Sequence, residues 1–247
     1  MLPGYRQFAP RPELAHLVDA FWLRSNQDAD VEALILPDGC IDLVLRANGS
    51  GRALFASALT TEPYRVSSRA GSWFVGVRFK PGMSRVVLDV APAECRDEPV
   101  EATSFDASFG ELSRRLGDVT SPERALALLE TEVLQRARVH ARRGPPPRVS
   151  QALAWLASAS PPRGFELART IGVAERSLHR DLVAWTGLPP KVLARILRMQ
   201  RATQLIGQLP LAAAALEAGY SDQSHMTRSL KQVLGRTPAQ IAREKPP

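Results

Sequence analysis

Hydrophobic and polar positions follow two different rhythms along this chain. Between residues 34 and 80, short segments such as 41–45 and 73–79 alternate apolar and polar side chains, and turn-forming segments such as 37–39 and 48–51 separate them. Alternation with a period of two predicts half-buried strands. Several short strands at this spacing are typical of a small sandwich or barrel. We therefore predict a strand-rich first half.

From about residue 83 the pattern becomes helical. A helix predicted over residues 121–140 places Leu126, Leu129 and Val133 on one face. Because an apolar face has to be buried, two interpretations stay open. The face packs on the strands of its own domain, or it forms the seam of a homodimer.

A proline-rich break at residues 142–147 divides the chain, since consecutive prolines resist helix and favour an extended linker. We place one domain at residues 1–143 and a second, almost entirely helical domain at residues 144–247. The first holds 18 Lys and Arg against 19 Asp and Glu, and the second holds 14 against 6. The net charges of −1 and +8 place the basic surface in the second domain, as a nucleic-acid-binding domain requires.

The second domain contains a helix, a glycine and another helix, twice over. The units span residues 166–185 and 211–234. A helix-turn-helix needs a small residue where its helices cross and a residue that tolerates positive φ at its corner. Ser221 is the expected N-cap of the last helix, and Ala174 is a poor cap at the equivalent place. The small residue at the helix crossing and the glycine at the corner are Ala168 and Gly172 in the first unit, and Ala215 and Gly219 in the second.

The outer faces of the second helices carry side chains that can read bases. Arginine bonds guanine bidentately and glutamine does the same with adenine. Two such faces on a basic domain predict sequence-specific DNA binding, whereas helix pairs that pack on a protein partner are the alternative. The candidate DNA contacts are Arg176, His179 and Arg180 in the first unit, Gln223, Ser224, Thr227, Arg228 and Lys231 in the second, and Arg198 between the units.

The second unit carries a recognisable signature. Residues 218–228 (AGYSDQSHMTR) and 235–238 (GRTP) closely match the signature of the AraC/XylS family. The segment from residue 149 to residue 244 resembles the DNA-binding domain of that family. The resemblance implies a transcription regulator that places two recognition helices in successive major grooves of double-stranded promoter DNA. It also implies a long helix between the units, which residues 191–206 fit. Lys191, Arg195 and Arg198 form a basic face on that helix, either solvated or in contact with phosphates.

The first domain resembles the sensor domain of some AraC-type regulators in residues 36–43 and 76–82, and this domain is similar to a cupin barrel. The overall fold class is therefore α+β: a cupin-like barrel or sandwich with flanking helices, plus an all-α domain of two helix-turn-helix units. Effector sensing or dimerisation is the implied role. Eleven of the fifteen aromatic residues precede the break, which favours an apolar site for a small organic effector. The candidate effector residues are Trp22, Asp42, Trp73 and Arg78.

A cupin-type enzyme and a DNA-repair alkyl acceptor are two alternative functions. A cupin-type enzyme needs clustered His and Glu ligands, but the first domain has only His16 and His140, both outside the strand region. A DNA-repair alkyl acceptor with an AraC-like module would need a four-cysteine zinc site. Cys40 and Cys95 are the only cysteines, and two cysteines cannot supply such a site. We expect no catalysis, no metal and no cofactor.

The sequence also bears on location and partners. It shows neither a signal peptide nor an apolar run long enough for a membrane span. We expect a cytoplasmic, nucleoid-associated protein that binds DNA and contacts RNA polymerase if it is an activator, with a homodimer as one of the two open interpretations of the helical face. Activation and repression stay open.

Overall fold

A computed structural model describes residues 4–26, 28–140, 143–158 and 164–244. Strands dominate the first half of the described chain, and helices make up the second. The strands are β1 (Tyr5–Phe8), β2 (Val18–Asn26), β3 (Val31–Ile35), β4 (Asp42–Asn48), β5 (Gly51–Ala56), β6 (Tyr64–Ser68), β7 (Ser72–Phe79) and β8 (Val100–Glu101). The helices are α1 (Ser84–Leu88), α2 (Ala102–Phe105), α3 (Phe109–Gly117), α4 (Pro122–Val139), α5 (Pro147–Leu156), α6 (Gly164–Ile171), α7 (Glu175–Thr186), α8 (Pro190–Leu205), α9 (Leu211–Glu217), α10 (Gln223–Leu234) and α11 (Pro238–Glu244), with 3-10 turns at Pro12–Leu14 and Pro92–Cys95.

Two antiparallel sheets form the strand-rich domain. The larger has the order β1-β2-β7-β4-β5-β8, and the smaller pairs β3 with β6. Trp22 on β2 and Val44 on β4 both pair with Gly76 at the centre of β7. Since successive side chains point to opposite faces of a strand, this register assigns every central position to one of two faces. The predicted α+β class and strand-rich first domain are confirmed, and the two sheets correspond to its sandwich form.

One face of the larger sheet packs against α3 and α4. Val75, Val77 and Phe79 on β7 are fully buried there. Leu129 and Val133 on α4 are fully buried as well, and Leu126 is partly buried. The seam of a homodimer was therefore the wrong interpretation of this helical face, because the face covers the domain's own sheet.

The second half has the predicted two-unit arrangement. Helices α6 and α7 form the first unit, α9 and α10 form the second, and α8 joins them. The break lies as an extended segment before α5, which begins at Pro147, and Arg142 falls outside the described residues.

The buried residues form two clusters that do not coincide with the two domains. The larger cluster runs from the sandwich through the first unit and includes Leu178, Leu182 and Leu193. The smaller cluster belongs to the second unit and centres on Met226 and Leu230. The first unit thus shares a core with the sandwich, and the second has a core of its own.

Candidate nucleic-acid interface and cavity

The two helix-turn-helix corners have the same backbone geometry. Gly172 and Gly219 adopt φ of +77° and +86°, a region that favours glycine, as the sequence predicts. In each unit the residue after the glycine closes the corner by donating its N–H to the alanine at the helix crossing. These bonds join Val173 to Ala168 (3.0 Å) and Tyr220 to Ala215 (2.9 Å). Both alanines are buried.

Each recognition helix buries one face and exposes the other. Leu178 and Leu182 anchor α7, while Met226 and Leu230 anchor α10. Leu230 stands where the family resemblance leads one to expect an aromatic, and it is fully buried. The exposed candidates are Arg176, His179 and Arg180 on α7, and Gln223, Ser224, Arg228 and Lys231 on α10, with Thr227 half-buried among them.

The acidic residues of these helices have structural roles. The Asp181 carboxylate accepts a hydrogen bond from Arg148 Nε at 2.6 Å. Asp222 caps α10, because its Oδ1 accepts the His225 N–H at 2.7 Å, and this bond holds the pKa of Asp222 below its usual range. The prediction of Ser221 as the N-cap was therefore wrong by one residue, because the cap is Asp222. Ala174 begins α7 without a side-chain cap, as expected.

The basic face of α8 is not uniform. Lys191 and Arg195 are exposed. Arg198 is half-buried, and its guanidinium carbon lies 5.4 Å from the centroid of the Tyr220 ring. This contact is a cation–π arrangement across the core of the second unit.

Side chains of the sandwich domain hold the end of α7. Arg85 donates to the carbonyl of Ala184 at 3.1 Å and lies over the Trp185 ring. Arg96 donates to the carbonyl of Gly187 at 2.5 Å. Because arginines of one domain satisfy the last carbonyls of a helix of the other, the first unit is fixed to the sandwich.

A cavity of about 420 Å³ lies between the two sheets. The larger sheet contributes Trp22, Val44 and Phe74 to its wall, and the smaller contributes Leu34 and Val66. Such a volume and such a wall are typical of sites for small organic ligands.

One end of this cavity holds a cluster of charged side chains. Trp22 Nε1 donates to Asp42 Oδ2 at 2.7 Å. Arg78 Nε lies 3.2 Å from Asp38 Oδ2 and 3.5 Å from Asp42 Oδ1. Burial raises the pKa of Asp38 to about 7 and raises that of Asp42, while Asp42 raises the pKa of Arg78. Three of the four predicted effector residues therefore meet at one place.

The fourth predicted effector residue, Trp73, was wrong. It lies on the face of β7 that packs against the core, and it does not line the cavity. Its neighbour Phe74 lines the cavity instead, because alternate residues of a strand face opposite sides.

Several lining residues escape the sequence-based predictions. Asp38 has the sequence context of an ordinary turn residue, and Arg24 follows the apolar run of residues 20–23 at the start of a polar stretch, so neither carries a local signal of the cavity. Tyr5 comes from β1, which lies outside the predicted strand region, and Tyr64 comes from β6, which the predictions did not separate from its neighbours. Gln200 reaches the cavity from α8, across the domain boundary, and no local pattern indicates this.

The two thiols are poor nucleophiles. Burial raises the pKa of Cys40, which lines the cavity, and raises that of Cys95 to about 11. A thiol reacts as its thiolate, so the alkyl-acceptor alternative lacks an activated cysteine. In the part of the chain that the structure describes, no group of three or more His, Cys, Asp or Glu side chains could hold a metal ion. None of the described helices is long and apolar enough to cross a membrane.

Comparisons with known proteins match both halves of the chain. Residues 167–244 match a family described as a helix-turn-helix domain, and residues 6–101 match one described as a domain of unknown function (DUF6597). No curated protein matches the chain.

Three similar solved structures are a regulator with an AraC-type DNA-binding domain from Chromobacterium violaceum, the C-terminal domain of AraT from Geobacillus stearothermophilus, and ToxT from Vibrio cholerae O395. The first is 24% identical over 41% of this chain and 96% of that one, with a TM-score of 0.36. AraT is 22% identical over 41% and 88%, with a TM-score of 0.38. ToxT is 9% identical over 97% and 95%, with a TM-score of 0.40.

The paired units and the helix-turn-helix match define a sequence-specific DNA-binding transcription regulator, whose residues 6–101 match a domain of unknown function. Residues 167–244 therefore carry a helix-turn-helix domain, in keeping with the resemblance of this region to AraC-type DNA-binding domains.

Proposed function

We propose that α7 and α10 enter successive major grooves of promoter DNA and that Arg180 and Arg228 are the main base readers. The observation that carries this proposal is the pair of exposed, carboxylate-poor faces held by one connecting helix. Each arginine lies mid-face on its helix, where a guanidinium reaches guanine bidentately. The two half-sites then lie about one helical turn, roughly 34 Å, apart.

The other candidates have supporting roles. Neighbouring polar side chains contact bases or sugars beside each arginine, and Lys191 and Arg195 contact phosphates. Arg198 acts through Tyr220 and holds the second unit against α8. The neighbouring side chains are Arg176, His179, Gln223, Ser224, Thr227 and Lys231.

The test begins with genome-wide recovery of bound DNA, which supplies a natural site. Arg180→Ala and Arg228→Ala should then each relax specificity in a different half-site. A bidentate pair is worth about 1–3 kcal/mol of discrimination, or roughly 5- to 150-fold in affinity. Arg124→Ala on α4 removes the same charge from an exposed position outside both units and should leave base preference unchanged. Unaltered selectivity in both unit variants contradicts the assignment.

We further propose that the cavity binds a small organic effector and that α8 senses its presence. Gln200 on α8 lines the cavity and donates to the carbonyl of Pro37 at 3.3 Å. Gly39, two residues on, packs so closely on α8 that an added Cβ would lie 2.8 Å from Leu193 Cδ1. A ligand that moves this loop therefore moves the helix between the two readers.

A thermal-shift screen of the whole chain should find cavity ligands, and DNA affinity measured with each hit should change. A ligand shifts this equilibrium only by its differential affinity for the two states. Gln200→Ala should keep ligand binding and reduce the effect of the ligand on DNA affinity. Hits that bind without any effect on DNA would leave the sandwich as a scaffold for the first unit.

These proposals imply a DNA-bound protein of the cytoplasm, without catalysis, that contacts RNA polymerase if it activates. A homodimer would need a surface other than the buried face of α4.

A further inference from the structure

Arg24 is the second charged centre of the cavity. It lies on β2 between Leu23 and Ser25, lines the cavity, and is only 5% exposed. Arginine is among the residues least often fully buried unless it is paired. The partners of Arg24 therefore decide what the cavity can bind.

No described residue supplies a counter-charge to Arg24. Among the described residues, its one side-chain hydrogen bond is a long contact of 3.4 Å from Nη2 to Ser68 Oγ, and its Nε is buried without a partner. Nearby, Asn26 Oδ1 is likewise buried without a partner. Burial lowers the pKa of Arg24, as expected for a cation that lacks an anion. A buried charge that is neither paired nor fully hydrogen-bonded is costly.

The opposite end of the cavity has the reverse arrangement. There one guanidinium, that of Arg78, lies between the two acidic side chains of Asp38 and Asp42. Arg24 pairs with Phe74, which lies four residues along β7 from Arg78. At about 3.3 Å per residue, the backbone positions of Arg24 and Arg78 are offset by roughly 13 Å along the sheet. The apolar side chains of Trp22, Phe74 and Val66 lie among those that form the wall.

We propose that the ligand of this cavity is an apolar organic acid whose carboxylate forms a bidentate ion pair with Arg24. The planar guanidinium matches a carboxylate in geometry, and burial strengthens such a pair. The ligand also supplies the anion that the folded chain omits, and its apolar body covers the wall. This inference rests on the proposed effector function and names the chemical class of the effector.

The test uses the full chain and matched probes: phenylacetate, phenylbutyrate and phenylhexanoate, each compared with its primary amide by titration calorimetry. At least one acid should bind about tenfold or more tightly than its amide, since a hydrogen bond to a charged group is worth about 1.5–3 kcal/mol. Arg24→Gln should abolish that preference. Arg46→Gln is the matched control, because Arg46 also pairs with Phe74 but is exposed and does not line the cavity.

Folding of the variants is checked separately. Arg24→Gln removes an unpaired buried charge, so its melting temperature without ligand should equal or exceed that of the wild type. If Arg24→Gln fails to fold, Arg24→Lys decides. It keeps the charge, loses the bidentate geometry, and should show a weaker acid preference.

Each outcome is decisive. Equal binding of acids and amides, an acid preference that survives in Arg24→Gln, or no binding by any acid overturns the carboxylate assignment. Amides that bind in place of acids and shift DNA affinity overturn the ligand class but leave the effector function standing. Acids that bind through Arg24 without any effect on DNA support the class and overturn the effector function.

Discussion

The two helix-turn-helix units share a corner geometry but differ in what supports them. The first unit is built into the core of the sandwich, and arginines of that domain bind the last carbonyls of α7. The second unit has a separate core and a capped recognition helix. Leu36 of the sandwich domain packs against this second core, and it lies at the start of the loop that lines the cavity.

This difference indicates how a signal could pass. Because the first unit is fixed to the sandwich, a change in the cavity cannot move it freely. The loop of residues 36–40 contacts the second core through Leu36 and α8 through Gly39. A change in the cavity should therefore shift the position of the second unit relative to the first. Such a shift would change the spacing between the recognition helices α7 and α10.

The largest expected effect separates two glycines at equivalent helix ends. Gly187 ends α7 and Gly235 ends α10, with φ of +73° and +65°. A Cβ on Gly187 would lie 2.6 Å from Leu59 Cδ2 and 3.2 Å from the backbone of Pro92, whereas one on Gly235 would meet nothing within 4 Å. Left-handed strain costs about 1–2 kcal/mol, and overpacking adds about 1–3 kcal/mol. We expect Gly187→Ala to lower the free energy of unfolding by about 3 kcal/mol, and Gly235→Ala by about 1 kcal/mol.

Urea unfolding of the two alanine variants measures this difference. Footprints add a second readout, because Gly187→Ala should weaken protection mainly in the half-site of the first unit. Equal losses of stability would mean that the contact with the sandwich contributes little, and the contrast between the units would fail.

The second effect concerns the loop that joins the units to the cavity. Folding raises the pKa of Asp38 from 3.8 to about 7, chiefly through burial and then through the charge of Asp42. A raised pKa favours the protonated form in the folded state, so this contribution to stability is full below pH 4 and is lost as pH rises through 7. Between pH 5 and pH 8 we expect a loss on the order of 2 kcal/mol.

Asp38→Asn should remove most of that pH dependence in denaturant unfolding between pH 5 and pH 8. Asp106 provides the contrast. Hydrogen bonds from Arg136 and Ser108 outweigh its burial and hold its pKa at about 2, so its contribution is lost only in stronger acid. The same pH dependence in the wild type and in Asp38→Asn would contradict a protonated Asp38.

A smaller effect, of about 1 kcal/mol, concerns the two N-caps. Asp222→Ala should destabilise α10 by that amount because the His225 N–H loses its acceptor. Ala174 has the extended backbone of an N-cap but no side-chain acceptor, so Ala174→Asp should stabilise α7 to a similar extent. Amide hydrogen exchange in each helix reports the two effects separately. A change in both helices from either substitution would show that the units are coupled more tightly than their cores suggest.

The helix-turn-helix units could be predicted because their determinants are local. A glycine with positive φ, a small residue and an apolar face all lie within about twenty residues, as at Ala168 and Gly172. Ser221 and Asp222 are both good capping residues, and so the cap was misplaced by one position. The strands at residues 41–45 and 73–79 could be predicted for the same reason, from alternation, whereas β1 and β2 lie outside the predicted strand region.

The cavity could be predicted only in part, because both faces of the larger sheet are covered. Trp22 and Trp73 each lie on a strand with alternating pattern, and nothing local shows which face meets α4 and which meets the smaller sheet. The same ambiguity affected the apolar face of α4. Arg24 and Asp38 lie fourteen residues apart in sequence, and only the folded chain places both on one cavity, with Gln200 from the other domain.

The last and smallest effect tests whether α8 contacts DNA along its length or only near the first unit. Lys191→Ala and Arg195→Ala should each weaken binding to all sequences alike, and each should reduce the slope of log affinity against log salt by about one. Arg198→Ala should leave that slope unchanged, because its guanidinium lies over Tyr220 and not on the exposed face. Its effect should appear instead as a less stable second core. A slope that falls only in Arg198→Ala would reverse the assignment, placing the phosphate contact beside the second unit and returning Lys191 and Arg195 to ordinary surface.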